Sequence, residues 1–121
     1  MYRSFKDMPV WQRAMDAAEK IFSATDHLPE KEDYGLTSQI RRAALSVPAN
    51  IAEAYERSHT LDKVNFYYNA RGSLTETQNH LEYAKRVGYI SVEDAVNLDS
   101  SLTSLHHEIN KIITTLKAAK A

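Results

Sequence analysis

Cysteine is absent from this 121-residue chain. That excludes a disulfide framework, a thiolate metal site and a thiol nucleophile, and it suits a reducing compartment. Glycine and proline number three each, too few for a loop-rich or all-β chain, so long helices are expected. Nowhere does an apolar run reach membrane-spanning length, and "MYRSFKDMPVWQRAM" lacks the apolar centre of a signal peptide. A cytoplasmic protein without a membrane segment is therefore expected. There is also no excess of one charge. Fifteen Lys/Arg stand against sixteen Asp/Glu, for a net charge of -1, and each quarter of the chain mixes both signs. A phosphate-binding surface would have to be gathered by folding or assembly. Phosphate-cradling glycine loops and a recognisable Ser/His/Asp set are missing too.

What the chain does have is helical periodicity. Ala95, Leu98, Leu102, Leu105, Ile109, Ile112 and Leu116 recur at alternating steps of three and four, a heptad seam. Ser91 and Asp94 predict its start, so this helix is expected from about Val92 to Lys117. Upstream, Leu61, Val64, Tyr67, Ala70, Leu74, Leu81 and Ala84 share one face, with Gly88 as the C-terminal cap. At the N-terminus Asp7 is expected to cap a helix with Pro9 in its first turn. Its stripe is Val10, Trp11, Ala14, Met15, Ala18, Ile21 and Phe22. From Leu36 the spacing resumes through Ile40, Ala43, Ala44, Val47, Ile51 and Ala54, in phase on both sides of Pro48. The expectation is an all-α single domain over residues 1–121. It would be an antiparallel up-down four-helix bundle with helices of roughly 20 to 28 residues and the second helix kinked, rather than broken, at Pro48.

Two polar strips carry the candidate site. Arg42, Ser46, Asn50, Glu53 and Arg57 share a face of the second helix; Asn69, Gly72, Ser73, Glu76 and His80 share one on the third. Gly72 costs about 1 kcal/mol of helix propensity, which predicts a close backbone approach there. The strips read either as solvated faces with local ion pairs or as a helix–helix or subunit interface in which Glu53, Arg57 and Glu76 satisfy one another. The many tyrosines suit subunit contacts. A carboxylate di-metal site needs two Glu-x-x-His motifs, and only Glu56-Arg57-Ser58-His59 fits. An enzyme built on Glu53, Glu56, His59, Glu76 and His80 is a minor alternative, and no metal or cofactor is expected. His106 and His107 flank the fourth seam as edge residues.

The stretches "VWQRAMDAAEKIF", "YGLTSQIRRAALSVPANIAEAYER" and "YNARGSLTETQNHLEYAKRVGYIS" resemble the four-helix-bundle proteins encoded in intervening sequences of bacterial 23S ribosomal RNA genes. These are similar to accessory proteins of diversity-generating retroelements. The resemblance is strongest over Gln39 to Ala43 and Ser46 to Glu53, with Gly72, Ser73, Leu74 and Glu76 downstream. Ala54 stands where the family pattern has glycine, which implies a tighter or altered contact at that turn. The resemblance implies a ring or barrel of five identical bundles. The function expected is a non-enzymatic homo-oligomeric scaffold or adaptor, with RNA or a ribonucleoprotein as a partner to test. The alternative is a nucleic-acid-binding module that contacts phosphates through Arg41, Arg42, Arg57 and Arg71.

Overall fold

Periodicity of three and four becomes four helices: α1 (Pro9–Ala24), α2 (Leu36–Glu56), α3 (Thr60–Arg86) and α4 (Val92–Lys120). Short 3-10 turns at Phe5–Asp7 and Glu30–Glu32 precede α1 and α2. The computed structural model describes residues 2–120, without the side chain of residue 120. No strand occurs among the described residues, and no helix among them is long and apolar enough to cross a membrane.

Each helix packs on its neighbours in chain order, and α1 returns to α4, so the four enclose one core. Ile21, Ile40, Val47, Ile51, Leu74 and Ile109 lie fully inside it. Cross-helix contacts run in opposed order along the chain. Arg41 of α2 reaches the end of α1, whereas the Tyr55 hydroxyl reaches the Tyr2 carbonyl. Likewise Gln78 meets Asp99 and Arg71 meets Asn110 between α3 and α4.

Several expectations change at the edges of the stripes. Leu61 and Phe22 are 57% and 55% exposed: the first precedes the point where α3 is covered, and the second lies on the outer flank of α1. Thr77, polar and unclaimed by the stripe, is buried because its hydroxyl donates to the Ser73 carbonyl one turn back (2.8 Å). Asp7 does not cap α1. It ends a 3-10 turn capped by Ser4, and its carboxylate accepts from the Arg3 amide, while Met8 occupies the α1 cap position. The α1 helix has 16 residues, shorter than expected; it ends at Thr25, whose backbone leaves the helical region and whose hydroxyl donates to the Ile21 and Phe22 carbonyls.

The other ends follow the capping signals. Gly88 has φ +84°, a left-handed conformation open to glycine, and the Gly88 and Tyr89 amides return to the Lys85 and Ala84 carbonyls. Ser91 accepts from the Asp94 amide at the start of α4. The two links at this end of the molecule are tied together: the Tyr89 hydroxyl donates to Glu32, and His27 hydrogen-bonds the Tyr89 carbonyl.

Candidate functional site

The proline turn is where the polar strips meet. Pro48 is buried inside an unbroken α2 and has no N–H to give the Ala44 carbonyl. Across this same turn the Asn50 amide donates to both the carbonyl and the hydroxyl of Ser46 (2.8 and 3.0 Å), and the Ser73 hydroxyl donates to the Ser46 hydroxyl (2.9 Å). Asn50, Ser46 and Ser73 thus form a small hydrogen-bonded bridge from α2 to α3. It occupies a half-buried seam where unpaired groups would be costly.

Farther out, the charged members of the strips pair within their own helices. Glu53 takes Arg57 (3.2 Å), whose guanidinium also lies 4.6 Å from the Phe66 ring centre. Glu76 takes His80 (3.3 Å) rather than Arg57. Gly72 differs from its expected role. It is exposed, and a Cβ added there would meet nothing within 4 Å, so no part of the chain approaches it closely. It sits on the outward side of α3, away from Leu74 and the core.

The four candidate arginines fall into different environments. Arg41 clamps α1 to α2: it donates to the Thr25 hydroxyl (2.9 Å) and the Phe22 carbonyl (3.0 Å), lies 4.0 Å from the Phe22 ring centre and has Asp26 at 3.7 Å. Arg57 is paired as described. Arg42 is exposed on α2 and makes no hydrogen bond or ion pair among the described residues. Arg71 donates to the Asn110 side-chain oxygen Oδ1 (2.9 Å) and lies 5.0 Å from the Tyr68 ring centre.

That last contact belongs to a cluster the polar strips did not include. Asn110 also bonds His106 Nδ1 (3.1 Å). Arginine can only donate, so the Asn110 oxygen faces Arg71 and its amide donates to an unprotonated His106 Nδ1. Burial, then the charges of Arg71 and His107, hold the His106 pKa below its ordinary value. Lys117 completes the cluster by donating to the Tyr68 hydroxyl (3.3 Å). The sequence signal was there in the i,i+4 spacing of His106 and Asn110, but that spacing says nothing about which neighbour meets them. On the other side of α4, Glu108 forms a two-pronged ion pair with Arg13. This pairing raises the pKa of the arginine.

Folding also sorts the charges that the sequence interleaves. The half of the bundle holding residues 15–44 and 75–104 carries eleven Asp/Glu and six Lys/Arg; residues 2–14, 45–74 and 105–119, in the other half, carry five and eight. One end of the molecule is therefore acidic and the other basic.

No three His, Asp or Glu residues come together in a metal-holding arrangement among the described residues. Glu56 and His59 sit exposed at the α2–α3 junction. Surface concavities are open grooves, such as the one of about 730 Å³ between α1 and α4 lined by Asp16, Glu19, Lys20, Asp94 and Asn97.

The family model described as 23S rRNA-intervening sequence protein matches residues 6–111. A crystal structure of a protein with unknown function from the S23 ribosomal protein family of Bacteroides thetaiotaomicron is similar, with a TM-score of 0.80 and 27% identity. The similarity covers 86% of this chain and 97% of that one. No curated protein matches the chain.

Proposed function

Because this chain belongs to the 23S rRNA-intervening sequence protein family, we propose that it acts as a non-enzymatic, homo-oligomeric scaffold or adaptor in the cytoplasm. The unit is a single antiparallel up-down bundle. The opposed contact order along adjacent helices supports that topology, and the proline inside α2 supports a kink at Pro48. Five such units form the ring.

The observation that carries this reading is the number of large apolar side chains left outside a core that is already closed. Phe22, Leu45, Leu61, Val92 and Val96 are each more than half exposed, and Val92 and Val96, one turn apart on α4, make an apolar pair that a neighbouring subunit would cover. Gly72, open on the outer face of α3, would let a second backbone come close. Catalysis is disfavoured because the candidate carboxylates Glu53 and Glu76 are exposed and paired along their own helices.

Light scattering at low and high salt tests the assembly. A mass near five times 13.7 kDa at both salts supports the ring. A monomer at both overturns it. The phosphate-binding alternative through all four arginines is weakened by the carboxylates beside Arg41 and Arg57.

A further inference from the structure

We propose that the basic half of α3 and α4, centred on Arg71, Lys111 and Lys117, is the surface through which this protein holds the phosphate backbone of RNA. The inference deepens the adaptor reading by naming its partner. It does not depend on the ring, because the surface is complete within one chain.

The first reason is charge without neutralisation. Arg71 and Lys117 converge on one ring, Tyr68, with guanidinium and ammonium 5.0 and 6.0 Å from its centre. Their hydrogen-bond partners are neutral, the Asn110 amide and the Tyr68 hydroxyl. Neutral partners fix the two cations in place and leave their charge uncompensated. From Thr103 to residue 119 the only acid is Glu108, which Arg13 occupies on the α1 side. From Lys63 to Thr75 there is none. Lys111 is exposed on α4 toward the groove shared with Arg13 and Glu108, and makes no ion pair among the described residues. Arg41 and Arg57, by contrast, have carboxylates beside them.

The second reason decides the class of partner. Arg71 and Lys117 meet Tyr68 and Asn110, Ile112 and Leu116 are only half-buried in the groove that Lys111 lines, and among the described residues α4 has no exposed large apolar side chain beyond Val92 and Val96. A protein partner or a lipid surface would need apolar area to bury. Cations held apart from any large exposed apolar surface suit a phosphodiester backbone, bound for position and not for sequence.

The test is anisotropy of a fluorescent oligouridine titrated with the intact protein at rising salt. Three phosphate contacts to a single strand predict that log K falls against log salt with a slope of about -2. Lys111→Glu/Lys117→Glu should weaken binding about tenfold or more at low salt, whereas Arg42→Glu, on the acidic half, should leave it within about twofold. Lys111→Gln/Lys117→Gln provides the same test should the reversal disturb folding, and circular dichroism checks helix content in each variant. Absence of binding by the wild-type protein at low salt overturns the proposal. So does unchanged binding by a folded Lys111/Lys117 variant. Displacement by polyglutamate as effective as by unlabelled oligouridine would overturn RNA as the partner and assign the surface to an acidic protein segment.

Discussion

The Ser73 hydroxyl on α3 donates to the Ser46 hydroxyl on α2 across 2.9 Å, two residues before the proline that interrupts the hydrogen bonding of α2. Small hydroxyls at both positions let the helices approach while each polar atom keeps a partner.

Ser46→Ala removes the acceptor shared by Ser73 and Asn50. A loss of about 1 to 2 kcal/mol is expected in urea unfolding. Ser73→Ala, which removes only one donor, should cost less.

The two glycines should respond in opposite directions. Gly88→Ala forces a side chain into φ +84° and should destabilise by about 1 kcal/mol. Gly72→Ala, in an open helical position, should raise protomer stability by about 0.5 to 1 kcal/mol. The same substitution should reduce the mass of the assembly if another subunit packs there. Melting and light scattering together read both effects.

Thr37 is buried, and its hydroxyl has no hydrogen-bond partner among the described residues. Thr37→Val keeps the shape and removes the stranded oxygen, so a gain of about 1 kcal/mol in unfolding free energy is expected.

Two groups set the pH limits. His106 has a lowered pKa in the folded chain, so the unfolded chain binds its proton more readily. The stabilisation is present above about 6.5 and is lost as pH falls through the folded value. His106→Gln should flatten that acid loss in the urea midpoint. Burial, with smaller contributions from Glu108 and Tyr2, pushes Tyr67 up to about 12. Its contribution is therefore complete below the ordinary tyrosine value and is lost as pH rises toward 12, which Tyr67→Phe should abolish.

Arg57→Glu replaces the ion pair with Glu53 by like charges one turn apart. If Arg57 also pairs across the subunit boundary, the mass should shift toward monomer; an unchanged mass removes Arg57 from that boundary.

The helices were largely legible. Val10, Ala14 and Ile21, all seven expected apolar positions of α2, and Leu102, Leu105 and Ile109 are buried as the periodicity requires, because a residue's place on a helix face depends only on its number. The caps at Gly88 and Ser91 were equally local. Thr77 and Phe22 escaped a hydrophobicity pattern because burial depends on what lies opposite. A threonine that satisfies its hydroxyl along its own helix fits inside, and a phenylalanine that meets the Arg41 guanidinium instead of the apolar core stays half outside.

By itself, then, the sequence determined an all-helical chain, where its helices fall and which faces they bury, all consequences of backbone geometry and short-range periodicity. Tertiary structure alone decided the partners. It gave Arg41 to α1 and Glu108 to Arg13, set Arg71 and Lys117 around Tyr68, and separated evenly interleaved charges into an acidic and a basic half. The reason is that ion pairs and fields depend on distance through space, and residues far apart in number become neighbours only when the helices fold back on one another.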